Sequence, residues 1–235
     1  MPASQGHSGE PDIGRAPGDL ATLQAFVNTL DIEQDTDELA TPAGLASWLQ
    51  EAGLVAHLDE QPGRRDLALA VDLREALRGV LRSHVTHSAR RNRSSAAAAA
   101  DTATADAASA DAGPKGVDSA GTRAAGPVPA ARVAAIAATM RAGIQADISG
   151  RVVVVPAGPG ATAALTRLLL IAAEAATAGT WSRLKVCSAD DCQWAFYDRS
   201  PTRSGCWCSM QICGSRAKSR AYRSRTARQA AGPRA

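Results

Sequence analysis

The 235-residue chain is long enough for one medium-sized domain and a smaller one. Hydrophobic residues make up 45% of it and aromatic residues only 3%, which excludes an aromatic-rich core and favours helices over a β-sandwich. The net charge of +3 is unevenly distributed, because residues 181–235 contain 11 Lys/Arg and 3 Asp/Glu, a net of +8, and the remainder is acidic. A basic end on an acidic body is typical of a segment that binds a polyanion, with a solvated, disordered end as the alternative.

The ends and the most apolar stretch have no targeting or membrane pattern. Residues 1–18 are rich in Gly, Pro and Ser and lack an apolar core, so we expect them to be disordered. Residues 163–178 are interrupted by Thr166, Arg167 and Glu174 and are too short and polar to span a bilayer. We therefore expect a cytoplasmic protein with no membrane partner. Cysteines stay reduced in the cytoplasm, so a cysteine cluster indicates metal ligands in preference to disulfides.

Three helices are predicted before residue 88. A short apolar helix is predicted over residues 20–30. The second helix follows Thr41, a good N-cap residue, and Pro42, and it ends at Gly53, which suits a left-handed stop. The third helix covers approximately residues 66–85. Its predicted buried stripe is Ala70, Leu73, Leu77, Val80 and Leu81.

The third helix is followed by a change in composition. Arg74, Glu75 and Arg78 lie off its apolar stripe and are predicted to face water. Residues 88–128 have no apolar period, and we interpret them as a flexible low-complexity insertion.

Regular structure is predicted again after the insertion. Residues 133–144 have a helical apolar stripe, residues 151–155 contain four valines and form a short strand, and residues 161–178 form a helix that stops at Gly179. The predicted N-terminal domain therefore spans residues 19–180. It is mainly α, a helical bundle with a short β element.

All five cysteines lie within residues 187–213. Cys187 and Cys192 are separated by four residues, as are Cys208 and Cys213, and fifteen residues separate the two pairs. This spacing suits one structural Zn²⁺ bound by four thiolates in a tetrahedron. An iron–sulfur cluster also uses four cysteines and is the weaker alternative. A set of unrelated buried cysteines is disfavoured by the clustering.

The residues between the cysteine pairs predict a small α+β module. Residues 194–197 are strand-like, residues 198–205 are rich in turn residues, residues 206–210 can return antiparallel, and a helix follows. A knuckle, a hairpin and a helix form a treble-clef-like zinc finger. We assign it residues 181–228, and we expect residues 229–235 to be a disordered tail.

The fifth thiol and two basic residues lie near this site. Cys206 is outside the ligand set, because four thiolates complete a zinc site. A redox thiol activated by Arg199 and Arg203 is one interpretation of Cys206, and an incidental thiol is the favoured one. Lys185 and Arg216 are positioned to offset the −2 charge of Zn²⁺ with four thiolates.

A family pattern is present in three pieces of this segment, residues 187–198, residues 207–210 and Cys213-Gly214-Ser215-Arg216. They resemble the CGNR-type zinc finger, which is named for the tetrapeptide at its last cysteine. Ser215 stands where that family has Asn, and Cys206 stands where it usually has a basic residue. All four predicted zinc ligands match the family's ligand positions.

The N-terminal region has a second resemblance. Residues 26–31 (Phe-Val-Asn-Thr-Leu-Asp), residues 41–54 and residues 73–77 (Leu-Arg-Glu-Ala-Leu) are similar to the ABATE domain. That domain commonly precedes this zinc finger in bacterial proteins described as stress-induced transcription regulators. The resemblance implies a DNA-binding transcription regulator with an N-terminal sensory domain. Asn28 and Asp31 are candidates to line an effector pocket, and a helix stop with a turn is their ordinary interpretation.

The C-terminal segment 216–228 has six basic residues and no acidic residue. On a helix, the side chains of Arg216, Arg220 and Arg223 fall within about 60° of one another, and Lys218 and Arg225 lie on the opposite side. We expect these five residues to contact DNA, because Arg suits phosphates and guanine edges. The alternative is a zinc-stabilised protein-interaction module that makes no DNA contact.

No motif in the sequence supports an enzyme. His84 and His87 share a helix face without a carboxylate or cysteine nearby, and Gly158-Pro159-Gly160 lacks the Lys and the spacing of a phosphate loop. We therefore expect a non-enzymatic protein with DNA as its partner. A small-molecule effector and a homodimer are further partners to consider.

Overall fold

The computed structural model describes residues 14–103, 129–146 and 152–230. Within these ranges the α-helices are α1 (Leu20–Val27), α2 (Pro42–Glu51), α3 (Arg64–Ala103), α4 (Pro129–Ala137), α5 (Gly160–Thr177) and α6 (Ser215–Ala230). The strands form antiparallel pairs, β1 (Leu30–Asp31) with β2 (Thr36–Asp37), β3 (Ala142–Ala146) with β4 (Val152–Pro156), and β5 (Leu184–Val186) with β6 (Ala195–Tyr197). The predicted fold class, a mainly helical domain with a small α+β four-cysteine module, is confirmed.

Local sequence determines both ends of α2. The Thr41 Oγ1 atom accepts a hydrogen bond from the Gly44 N–H at 3.1 Å, and Pro42 occupies the first helical position. Gly53, just past the helix, has a φ of +67°, which favours glycine. The predicted start and stop of this helix are confirmed.

The hydrophobic core lies where α1, α2, α3 and α5 meet the β5–β6 pair. Its fully buried members include Leu23, Phe26, Leu45, Leu49, Leu73, Leu77, Leu81, Leu165, Leu168, Leu184, Val186 and Ala195. The last three belong to β5 and β6. The strand pair of the zinc module is therefore part of the same core as the N-terminal helices.

Helix α5 is the one described helix with the length and composition to cross a bilayer. Its Leu165, Leu168 and Ile171 side chains are buried in the core, at most 4% exposed. One face of α5 therefore packs in the core.

Parts of the segments predicted to lack structure are ordered. Helix α3 passes its predicted end near residue 85 and continues to Ala103, because the alanine run at 96–100 has the highest helix propensity. Near the N-terminus Ala16 is 5% exposed, and its N–H donates to the Gln24 Oε1 atom at 2.6 Å. The remainder of the predicted disordered or flexible segments, residues 1–13, 104–128 and 231–235, lies outside the described residues.

Arg74 and Arg78 are buried, so their predicted exposure is wrong. They are 2% and 4% exposed. Arg74 donates to both carboxylate oxygens of Asp37, at 2.6 and 2.9 Å. Arg78 donates to the carbonyls of Val27 at 2.7 Å and Gln193 at 3.0 Å. Acceptors from distant parts of the chain replace water around both guanidinium groups.

The first helix ends at Val27 and not at the predicted Leu30, because Leu30 pairs with Asp37 in the β1–β2 hairpin. The partners of two strands also differ from the prediction. Ile144, predicted on a helical stripe, lies in β3 opposite Val154. The valine-rich β4 requires a strand partner, and residues 142–146 supply it. Strand β6 pairs with β5 rather than with residues 206–210.

Candidate metal centre and nucleic-acid interface

The four predicted cysteines meet at one point. The Sγ atoms of Cys187, Cys192, Cys208 and Cys213 all lie within 4.8 Å of one another. The Cys192–Cys208 and Cys208–Cys213 sulfur distances are 3.6 and 3.7 Å. Four thiolates at about 2.3 Å from one tetrahedral ion are about 3.8 Å apart, whereas the sulfurs of a disulfide are about 2.05 Å apart. The spacing fits a tetrahedral site of four thiolates.

Short turns place the cysteines at the ends of regular elements. Cys187 directly follows β5, and its N–H donates to the Trp194 carbonyl at 2.9 Å. The Cys192 N–H donates to the Ala189 carbonyl at 3.0 Å, which closes the first knuckle. Cys213 lies in a single π-helical turn, Met210–Gly214, that leads into α6. An ion at this site therefore connects the β5–β6 pair to α6.

The thiols are electrostatically suited to a cation. Hydrogen bonds from the thiols of Cys192 and Cys208 lower the pKa of Cys187. The hydrogen bond with Cys187 in turn raises the pKa values of Cys192 and Cys208. One thiolate thus opposes the ionisation of its neighbours, and four together require a compensating metal ion. The donor set is all-cysteine and closed, which is the pattern of a structural zinc site.

A buried ion pair braces the loop between the two cysteine pairs. Lys185 is 0% exposed, and its Nζ atom donates to the Asp198 Oδ2 atom at 2.7 Å and to the carbonyls of Arg203 and Gly205 at 2.6 and 3.1 Å. The Asp198 carboxylate also accepts the backbone N–H groups of Ser200 and Gly205, each at 2.9 Å. These bonds explain why the segment before Cys208 forms a loop instead of the predicted strand. Lys185 therefore neutralises Asp198 rather than the zinc site.

Cys206 is not part of the four-cysteine cluster. Its carbonyl accepts the Ser188 N–H at 2.9 Å. Burial raises the pKa of the Cys206 thiol, so the thiol is not activated. Arg199, predicted to activate it, lies over the Tyr197 ring and donates to the Arg15 carbonyl at 3.0 Å. These contacts favour the interpretation of Cys206 as an incidental thiol.

Helix α6 extends from the zinc site into solvent. Between residues 215 and 227 every residue is exposed except Ala217, which is half-buried. Arg216, Arg220 and Arg223 share one side of the helix, where they line a groove of about 580 Å³. The structure thus brings together the three arginines predicted to form a stripe.

Two of these arginines are paired with carboxylates of the protein itself. The Arg216 Nη1 atom is 2.7 Å from the Glu33 Oε1 atom, and the Arg220 Nη1 atom is 3.6 Å from the Asp191 Oδ2 atom. Among the described residues, Lys218, Arg223 and Arg225 make no ion pair. The five predicted DNA contacts therefore divide into two paired and three unpaired side chains.

Asn28, just past α1, and two arginines of α3 join the N-terminal domain to the segment that leads from the first knuckle into β6. The Asn28 Oδ1 atom accepts the Ala195 N–H at 2.7 Å, and its Nδ2 atom donates to the Ala195 carbonyl at 3.0 Å. Arg78 donates to the Gln193 carbonyl at 3.0 Å, and Arg82 donates to the Gln193 side chain. Sequence reasoning missed these contacts. A signal for them was present in the sequence: Arg74, Arg78 and Arg82 recur every four residues, and each directly follows a leucine of the buried stripe.

The two predicted effector residues line a cleft of about 920 Å³ beside the β1–β2 hairpin. The Asn28 amide forms hydrogen bonds with the Ala195 backbone. Its position is therefore explained by this link between the N-terminal domain and the zinc module. The Asp31 Oδ1 atom accepts the Gln34 N–H at 3.0 Å, as in a turn. The turn of this hairpin also carries Glu33, the partner of Arg216.

Comparison with known families gives two matches. Residues 20–180 match the ABATE family, whose description reads "Putative stress-induced transcription regulator", and residues 183–226 match the CGNR zinc finger. Both resemblances are confirmed, and the second match, which contains the four cysteines, assigns the metal as one structural zinc ion. No curated protein matches the chain. The chain therefore belongs to the ABATE family, with a CGNR zinc finger as its C-terminal module.

Proposed function

We propose that this protein is a cytoplasmic, stress-responsive transcription regulator without catalytic activity, in which α6 binds DNA. The single observation that carries the proposal is α6 itself. The helix is exposed along residues 218–227, has basic residues but no acidic residue, and begins two residues after the zinc ligand Cys213. The ABATE part, with its cleft beside the β1–β2 hairpin, is the regulatory domain in this proposal.

The energetics of α6 favour an anionic partner. An isolated helix of 16 residues is marginally stable in water. Lys218, Arg223 and Arg225 make no ion pair among the described residues, so their like charges repel one another along the helix. Phosphates relieve the repulsion and release counterions when they bind. An α-helix fits the DNA major groove, and the zinc ion sets the direction in which α6 leaves the body.

The test is the salt dependence of binding to a labelled duplex, measured by fluorescence anisotropy. If all six basic residues meet phosphates, log K against log salt has a slope of roughly −5. Changing Arg216, Arg220 and Arg223 together to Ala is expected to reduce the slope to roughly −3, because three phosphate contacts are lost. The matched control changes three exposed arginines outside α6, Arg64, Arg65 and Arg141, to Ala. It carries the same charge change and should keep the wild-type slope.

Two results would contradict the proposal. A wild-type slope near zero would eliminate phosphate binding, and equal binding by wild type and the α6 triple variant would eliminate the arginine stripe. In the first case the zinc module remains a candidate for protein interaction.

A further inference from the structure

Two carboxylates from separate parts of the chain converge on the arginine stripe of α6. Glu33 lies in the turn between β1 and β2, in the N-terminal domain, and it pairs with Arg216. Asp191 lies in the zinc knuckle, and it pairs with Arg220. We call Glu33 and Asp191 the acidic pair. Their partners are four residues apart on one face of the helix, which is the face that lines the 580 Å³ groove.

We propose that the acidic pair is an autoinhibitory contact that occupies the positions of two DNA phosphates. This inference rests on the proposed DNA-binding function and names a regulation of the same surface. With the pair in place, Arg216 and Arg220 are neutralised by the protein's own carboxylates. Full-strength DNA binding requires these two arginines to exchange carboxylate for phosphate.

The chemistry of the contact supports such an exchange. A guanidinium group binds a carboxylate and a phosphate with the same planar set of N–H donors, so the two anions compete for it. A phosphate beside Arg216 would also lie close to the Glu33 carboxylate, and like charges brought together oppose binding. The four side chains involved are 40–60% exposed, so the ion pairs are weak and screened by salt. A contact of this kind lowers affinity but remains reversible.

The position of Glu33 connects the contact to the N-terminal domain. The Arg74 guanidinium fixes the base of the β1–β2 hairpin by two hydrogen bonds to Asp37. Asp31 and Gln34 of the same hairpin line the 920 Å³ cleft. Any occupant of that cleft would touch the segment that positions Glu33 against Arg216. The hairpin is therefore the element through which the regulatory domain acts on α6.

The direct test compares Glu33→Gln with Asp35→Asn. Asp35 is an exposed carboxylate in the same hairpin, makes no ion pair among the described residues, and has a φ of +52°, which Asn tolerates. Both variants remove one negative charge, but only Glu33→Gln frees Arg216. In the anisotropy assay we expect Glu33→Gln to bind the duplex about two- to fivefold more tightly than wild type, and Asp35→Asn to change affinity much less. The Glu33→Gln/Asp191→Asn double variant should bind more tightly than Glu33→Gln alone, because neither arginine then has to leave a carboxylate before it contacts a phosphate.

A second readout does not require DNA. Amide hydrogen exchange in the first turns of α6 should be faster in Glu33→Gln than in Asp35→Asn, with the zinc content unchanged in both. Equal exchange rates would overturn the proposed contact.

The outcomes separate this inference from the proposed function. If wild type binds DNA with the expected salt slope but Glu33→Gln binds no more tightly than Asp35→Asn, the autoinhibitory contact is wrong and DNA binding stands. Weaker binding by Glu33→Gln would also overturn it, since Glu33 would then be positioning Arg216 for DNA. If neither wild type nor any variant binds at low salt, the proposed function itself fails.

Discussion

At Lys185 a full positive charge has no contact with water, and three oxygen atoms make this possible. The partner carboxylate, Asp198, is also buried. Burial alone would raise the pKa of Asp198, but the hydrogen bond from Lys185 and those from Ser200 hold it below its usual value. The pair stabilises the loop only while both charges are present.

Replacing Lys185 by Met is therefore expected to be strongly destabilising. It leaves the Asp198 carboxylate buried without a counter-charge, which costs about 3–5 kcal/mol of unfolding free energy. Urea denaturation of the zinc-bound protein measures this cost. The control, Lys218→Met on exposed α6, should change the unfolding free energy by less than about 0.5 kcal/mol. A Lys185→Met variant as stable as the control would contradict the role of the ion pair.

At the scale of elements, the zinc module has two differently supported halves. Strands β5 and β6 contribute Leu184, Val186 and Ala195 to the main core. The second half consists of the π-helical turn and α6, and it packs mainly around the cysteine cluster with Ile212 and Trp207. The zinc ion is the principal connection between the two halves.

Removal of zinc should therefore unfold α6 and leave β5–β6 in place. Structural zinc contributes roughly 10–16 kcal/mol in small zinc modules, and α6 is only marginally stable by itself. Hydrogen exchange after chelation should show lost protection in α6 and retained protection in β5–β6. Cys213→Ser should reproduce this pattern, whereas Cys206→Ser should keep stoichiometric zinc and full protection. Unchanged exchange in α6 after complete zinc removal would contradict this account.

At the scale of the whole molecule, His84 links α3 to the zinc module. Its Nδ1 atom is 2.8 Å from the Leu184 carbonyl oxygen, and its ring packs edge-on against Trp181 at 5.4 Å. Burial lowers the pKa of His84 from its ordinary value of 6.5. The unfolded chain therefore binds this proton more readily than the folded chain.

This difference predicts that stability falls as the pH drops below about 6.5 and that the loss from His84 levels off below its folded pKa. Urea denaturation at pH 7.5, 6.5 and 5.5 should show the loss in wild type and a smaller one in His84→Gln. The control, His87→Gln, changes an exposed histidine and should keep the wild-type profile. An identical profile for His84→Gln and wild type would show that His84 is not the group responsible.

A further loss of stability is expected below about pH 3.8. There the unfolded chain binds protons at Asp37 and Asp198, whereas the folded carboxylates stay charged because Arg74 and Lys185 lower their pKa values against the opposing effect of burial; the loss levels off below these folded pKa values.

The sequence alone determined the features that depend on neighbours along the chain. The spacing of the four cysteines, in two close pairs, predicts that they form one metal site, because a short turn can present both thiolates of a pair to the same ion. Thr41, Pro42 and Gly53 specify the ends of α2 through bonds and backbone angles within a few residues. The buried face of α3 follows from its apolar period, although Val80 of the predicted stripe is only half-buried.

Only the tertiary structure decided which polar groups meet across long separations in the chain. The position of Arg78 on its helix predicts an exposed side chain. The side chain is nevertheless buried, because it donates hydrogen bonds to the carbonyls of Val27 and Gln193. Arg216 belongs to a basic stripe by its spacing, yet its charge is paired because the fold places Glu33 beside it. Local patterns specify helix ends and knuckles through short-range bonds. The partner of a charged side chain, however, depends on how the packed core positions segments that are 51 to 183 residues apart in these examples.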